Sequence, residues 1–334
     1  MSDSDFPIDP TFVDFDVPMG DPLPARPSTL SQRPKKHIDD PLLGQTVGGR
    51  FLVTQVLADG GMGRVYIAED PERGPVALKT LLPDFSEDHD LVRRFRRELT
   101  ALQQAQCPYV VELIASGELD DQRAYFVMEF VEGVSLAEVM SAHPRGLDVL
   151  RALRITLQLC AALTPAHRLG IIHRDLKPEN VMLTRIGEQR DLVKVLDFGL
   201  AKPKDAGLGL TSPGMVLGTP DYMSPEQCQS GKLDHRSDIY ALGVLTYEMV
   251  CGETPFPYPE LIAVVRAHIL EAPVPPSRRD PKVVIPKPFE WMLLCCLHKD
   301  PERRFQSMDE VQEEMGHIAS ALGVHLPVPG EPEP

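Results

Sequence analysis

Gly60, Gly61 and Gly63 lie between the apolar runs 51–57 and 65–68, which places them at a hairpin where bare backbone can approach phosphate. Taken alone, they are better read as an ordinary glycine hairpin. Lys79 closes the strand-like run Val76-Ala77-Leu78-Lys79 and aims one cation among apolar neighbours. A lone strand lysine is more often a solvated edge charge. Glu98 shares a helical side with Phe95, Leu99 and Leu102, where a buried carboxylate needs a cation, and Lys79 is the candidate. On a helix that also carries Arg93, Arg94, Arg96 and Arg97, Glu98 reads equally as a partly exposed side chain. The densest polar cluster follows. Residues 171–183 read Ile-Ile-His-Arg-Asp-Leu-Lys-Pro-Glu-Asn-Val-Met-Leu, and residues 193–199 read Val-Lys-Val-Leu-Asp-Phe-Gly.

Those two segments resemble the catalytic and metal-binding loops of the protein kinases, matching His-Arg-Asp-Leu-x-x-x-Asn and Asp-Phe-Gly in the right order after a glycine loop and a strand lysine. The resemblance covers about residues 45 to 320 and is closest to the eukaryotic-like, bacterial-type serine/threonine kinases. It implies transfer of the ATP γ-phosphoryl group through a loose transition state, where catalysis is mainly positioning and charge neutralisation. It also implies a role for each matching residue. Asp197 and Asn180 would hold Mg2+, or Mn2+ in its place. Lys79, paired with Glu98, would hold the α- and β-phosphates, and Asp175 would orient and deprotonate the acceptor hydroxyl. Lys177 would stand beside the γ-phosphate, and the wording Leu176-Lys177-Pro178-Glu179-Asn180 favours serine/threonine over tyrosine acceptors. Adenine would lie between Val65 and Ala77 above and Met182 below, with backbone groups of Glu129 and Val131 at the hinge and Met128 as gatekeeper. His173 could be nominated as an acid–base group, but the resemblance gives it a packing role in a column with Leu102, Leu113 and Phe198.

Residues 218–226, Gly-Thr-Pro-Asp-Tyr-Met-Ser-Pro-Glu, resemble the segment that receives the protein substrate, with Ser224 standing where alanine is commoner, one small residue for another. Thr219 matches the position that contacts the catalytic Asp and Lys. Glu226 would pair with Arg304, and Asp238 would support the catalytic-loop backbone, although a helix-start carboxylate also has a capping explanation. Thr211 and Ser212 stand where related kinases are phosphorylated, and Arg174 would pair with such a phosphate. They read equally as polar loop residues. Autophosphorylation between molecules would require a transient homodimer.

The elements that must position these groups change character once along the chain. Residues 51 to 131 read as short β-type runs interrupted by one charged helix near 88–104, and from Ser135 onward helical periodicity dominates. Leu150, Leu153, Leu157, Ala161 and Thr164 mark one apolar face that Gly170 would end. The expectation is an α+β, bilobal protein-kinase fold. Its small β-rich N-lobe with one regulatory helix spans 45–130, and its larger, mainly helical C-lobe spans 131–322. Residues 1–40, rich in Asp, Pro and Ser, read as a disordered acidic arm, and 323–334 as a disordered tail.

The net charge of -15 argues against a surface built for nucleic-acid phosphates or anionic lipid. Six cysteines without zinc-site or disulfide-framework spacing read as reduced thiols. The sequence contains neither a signal-peptide pattern nor an apolar run long enough to span a bilayer, so the expected location is cytoplasmic and the expected partners are ATP and protein substrates, without nucleic acid or membrane.

One departure stands out: Ala58 occupies the first glycine position of the loop, and an alanine that needed positive φ would modestly weaken ATP binding. A pseudokinase scaffold is the main rival, and the complete set Lys79, Glu98, Asp175, Asn180 and Asp197 speaks against it. A kinase for small molecules is disfavoured by residues 218–226 and Arg304.

Overall fold

The computed structural model describes residues 40–60, 63–86, 92–93, 107–186, 189–198, 220–229, 231–279 and 284–323. Strands β1 (Thr46–Val47), β2 (Phe51–Gly60), β3 (Gly63–Asp70), β4 (Gly74–Leu81), β5 (Leu113–Glu118) and β6 (Ala124–Glu129) form an antiparallel sheet in the order β1-β2-β3-β4-β6-β5. A short helix, α1 (Pro83–Ser86), follows β4. Alternation sorts the side chains. Phe51, Val53, Tyr66, Ala68, Val76, Leu78, Tyr125 and Val127 build one core on the outer face. Val65 and Lys79 are register partners, as are Ile67 and Ala77, and they occupy the opposite face. The expected helix near 88–104 lies outside the described residues except for 92 and 93.

The second lobe opens with β7 (Gly133–Ser135) and α2 (Leu136–Ala142), which a Ser135–Glu138 capping box starts. Helix α3 (Val149–Arg168) starts at Asp148, whose carboxylate accepts the Leu150 and Arg151 N–H groups. Gly170, at φ +72°, follows its end, as the sequence predicts. Its buried surface is wider than the predicted stripe. Ile155, Leu159, Ala162, Leu163 and Ala166 are fully buried as well. The cause is that α3 is enclosed by α5 (Arg236–Cys251), α9 (Met308–Ala321) and β9 (Gln189–Val195). Among the described residues α3 is also long and apolar enough to cross a bilayer by length and composition, yet most of it is buried in this lobe. Helix α5 is buried nearly all round, and a Cβ on its Gly243 would come within 2.8 Å of the Cys296 Cβ on α8 (Lys287–Cys296). β8 (Val181–Ile186) pairs with both β7 and β9, giving a small second sheet beneath the first. Short α4 (Pro225–Cys228), α6 (Leu261–Leu270) and α7 (Pro276–Arg279) complete the described lobe.

Two buried histidines in this lobe make stability depend on pH. His268 is fully buried with its Nδ1 2.9 Å from the Tyr240 hydroxyl, and burial, aided by the nearby Lys299 charge, pushes its pKa down to about 3. Burial also lowers that of His173. Below about pH 6.5 the unfolded chain therefore binds protons that the folded chain refuses, so stability falls as pH drops. His268 alone should remove about 2 kcal/mol between pH 7 and pH 5. Urea unfolding at the two pH values checks this, and His268→Asn should flatten the difference by a similar amount.

Candidate active site

The polar residues singled out in the sequence converge where the two lobes meet. Lys79 on β4 reaches down from the underside of the upper sheet, and its Nζ lies 2.6 Å from Asp197 Oδ2. Asp197 follows β9 with φ +35°, a left-handed conformation that turns its carboxylate toward the lysine. Glu98 lies outside the described residues, so the partner of Lys79 seen among the described residues is Asp197.

Asp175 sits in the loop between α3 and β8. Its Oδ2 receives the Asn180 amide at 3.1 Å and lies 3.1 Å from Lys177 Nζ. The same amide nitrogen also donates to the Asp175 carbonyl at 2.8 Å. Asn180 therefore commits its NH2 group to the loop, and its amide carbonyl is the face left for another ligand. A single turn, Pro178–Asn180, supplies this geometry, and the Leu196 N–H closes it by donating to the Asn180 carbonyl.

This loop is held from beneath. Asp238, fully buried at the start of α5, accepts the backbone N–H of His173 at 2.7 Å and of Arg174 at 2.9 Å, while His167 Nε2 lies 2.7 Å from the same carboxylate. Burial works to raise the Asp238 pKa, but the contacts with His167 and the His173 backbone outweigh it and hold the carboxyl below the usual range. Arg174 takes a left-handed φ of +62° at this point. The Asp238 clamp offsets the cost of that conformation. His173 is packed rather than poised: its ring centroid lies 4.7 Å from that of Phe198, and its Nε2 is 3.1 Å from the Leu196 carbonyl. Leu113 is partly buried against the same core, and Leu102 lies outside the described residues.

Other predicted positions fall around this centre. Gly60 and Gly63 close the β2–β3 turn as register partners. A Cβ at Gly63 would come within 1.8 Å of the Thr80 carbonyl, so β3–β4 packing by itself demands glycine there. Ala58 is a strand residue opposite Val65, just past a register shift, and is not among the described residues with positive φ. The strain anticipated for it is absent. Ala77 pairs with Met128, and Met182 with Lys194. The Glu129 N–H is already donated to the Glu112 carbonyl at 2.9 Å, and the Glu129 carboxylate lies 2.6 Å from Lys194. Gly61, Gly199, Thr211, Ser212 and Thr219 lie outside the described residues.

Several functional contacts escape a linear reading. Ser224 does more than fill space: it caps α4 in a reciprocal pair with Gln227, and Gln227 Nε2 donates to the Arg174 carbonyl at 2.9 Å. The Ser-x-x-Gln spacing is a capping signal that could have been found. Lys194–Glu129 and His167–Asp238 join residues distant in sequence, and neither has a local signature.

Residues 51–315 match the family model described as "Protein kinase domain". Serine/threonine-protein kinase pkn3 of Myxococcus xanthus is 38% identical over 280 residues, spanning 83% of this chain and 51% of that protein. Serine/threonine-protein kinase PrkC of Bacillus subtilis is 36% identical over 281 residues, spanning 82% of this chain and 41% of that protein. Among solved structures, the Mycobacterium tuberculosis PknI kinase domain superposes with a TM-score of 0.63 at 28% identity, covering 82% of this chain and 97% of that one. The chain thus spans about half or less of the length of those two full-length relatives.

Proposed function

This chain belongs to the protein kinase family and has its two-lobed fold, and from that premise we propose that it transfers the ATP γ-phosphoryl group to serine and threonine hydroxyls of protein substrates. The observation that carries the reading is the convergence of Lys79, Asp197, Asn180, Lys177 and Asp175 over a loop clamped by Asp238. The relatives' names support serine/threonine chemistry.

The donor set fits magnesium. No cage of three or more His, Cys, Asp or Glu exists among the described residues, and a carboxylate plus an amide carbonyl suits an ion that keeps its waters and takes phosphate oxygens. Asp197 and Asn180 would hold it, and when bound it would neutralise charge developing on the transferred group. The chain's own groups do the rest. Lys79 brings a cation to the phosphates. Lys177 and Asn180 both hold Oδ2 of the Asp175 carboxylate, which receives the proton of the acceptor hydroxyl. The spent N–H of Glu129 means that adenine would meet a hinge donor at Val131, with Val65, Ala77 and Met182 about the ring. We further assign the lobes to 45–130 and 131–322, Arg174 to pairing with a phosphorylated Thr211 or Ser212, Thr219 to substrate contact, and the cytoplasm as the site of action.

The test is incubation with γ-labelled ATP, magnesium and a generic basic acceptor protein, followed by phosphoamino-acid analysis. Label on serine and threonine is the expected result, and chelation of the metal should stop it. ATP binding with no transfer under any activation state would leave a nucleotide-binding scaffold instead. Because Ala58 is in unstrained extended backbone, Ala58→Gly should shift the KM for ATP by no more than about twofold. A larger drop in KM would mean that the methyl group does restrict the loop.

A further inference from the structure

Arg64 follows the last glycine of the β2–β3 turn and is tied to two carboxylates at once. Its Nε donates to Asp59, its register partner across the turn, and its Nη1 donates to Asp40. The two partners differ in kind. The Asp59 side chain is 58% exposed, and an exposed pair of this sort contributes little. The Asp40 side chain is 1% exposed, so its charge depends on the partners it has. Those partners are Arg64, the buried Tyr66 hydroxyl at 3.0 Å and the Leu42 N–H at 2.9 Å. Although burial opposes ionisation, these donors hold the Asp40 carboxyl below its ordinary pKa.

Asp40 is itself firmly placed. The segment after it is bound to β2 through Gly44 N–H to the Val53 carbonyl at 2.8 Å and Val53 N–H to the Gln45 carbonyl at 2.9 Å, and Leu42 packs on the outer core. On the other side, the Arg64 carbonyl accepts the Thr80 hydroxyl at 3.4 Å, and the residues after Arg64 and before Thr80 are the register partners Val65 and Lys79. A buried carboxylate thus grips the start of β3 from the outer face of the sheet, next to Val65, whose register partner on β4 is Lys79.

We infer that Asp40 is a positioning residue for nucleotide binding: acting through Arg64, it fixes the start of β3, and so the place of Val65 beside Lys79 on β4. The inference rests on the nucleotide reading of the site given above. Asp40 touches no reacting atom, so its removal acts on affinity and leaves the chemical step alone.

The experiment uses the full chain and measures dissociation of a fluorescent ATP analogue, KM for ATP, kcat and thermal midpoint for wild type, Asp40→Asn, Arg64→Gln and the double variant. Each single variant should raise the dissociation constant and KM about fivefold with kcat within about twofold, and the double variant should exceed neither single, because both remove one interaction. Unchanged affinity in folded Asp40→Asn, additive effects, or a loss confined to kcat and thermal midpoint would overturn the inference. Should Asp40→Asn not fold, Arg64→Gln removes the same ion pair from its other end, and unchanged affinity there overturns the inference equally. A wild-type chain that binds no nucleotide would overturn the functional reading and this one together. Equal binding by wild type and variants would overturn this one alone.

Discussion

Asp175→Asn is expected to lower kcat about 10³-fold while leaving KM for ATP within about twofold. The substitution is nearly isosteric, and an amide oxygen at this position can still accept from Asn180 as the carboxylate does now at 3.1 Å. Lys177, 3.1 Å away, loses an ionic partner but keeps a polar one. The backbone of the loop is set by Asp238 through the His173 and Arg174 N–H groups, not by Asp175. Geometry should therefore survive, and what disappears is a base able to take the hydroxyl proton. Lys79, proposed to hold phosphate, and Asp197, proposed to hold the metal, are paired with each other, and the amide oxygen at position 175 keeps the Asn180 contact. Steady-state kinetics with a saturating protein acceptor make the comparison. A fall in kcat of less than about tenfold would show that the hydroxyl loses its proton by another route.

The parts of this site that can be read from sequence are those set within one turn or one hairpin. Asp175, Lys177 and Asn180 come together because a single turn joins them, so their spacing alone places them on one surface. Val76-Ala77-Leu78-Lys79 alternates with period two, so knowing that Val76 and Leu78 face the outer core puts Lys79 on the other side. The remainder depends on packing between segments far apart in the chain. Asp238 presents a helix-start carboxylate that capping would explain, yet α5 lies against α3 and delivers it to the catalytic loop and His167 instead. Asp40 looks like one more acid at the edge of an acidic segment, and its burial beneath Arg64 and Tyr66 follows from how residues 40–47 lie on β2. Ala58 shows the converse error. A motif position suggests positive φ, but the strand geometry here does not require it.

The largest effect on stability should come from Arg304, whose side chain is fully buried. All five of its N–H groups are used: Nε to the His298 carbonyl at 2.7 Å, Nη1 to Glu226 Oε1 at 2.8 Å and the Arg236 carbonyl at 2.9 Å, and Nη2 to Glu226 Oε2 at 2.8 Å and the Lys299 carbonyl at 3.1 Å. Arg304→Met should therefore cost about 3–5 kcal/mol, since it strands a largely buried carboxylate and three carbonyls. Glu226→Gln should cost less, because the amide still accepts from Arg304 and the carbonyl contacts remain. Burial tends to raise the Glu226 pKa, but Arg304 and the Ser237 hydroxyl outweigh it and hold the carboxyl below its ordinary value. The unfolded chain then takes up this proton first as acid is added. The contribution is present in full above the unfolded pKa and is lost as pH falls through the lower folded one. Urea midpoints at pH 7 measure the size, and a change under about 1 kcal/mol for Arg304→Met would show that the fork is replaceable. The same variant should also lose activity before it unfolds. Glu226 lies in α4 beside Gln227, whose amide holds the Arg174 carbonyl, so loosening the ion pair releases one of the supports that keep Asp175 in place.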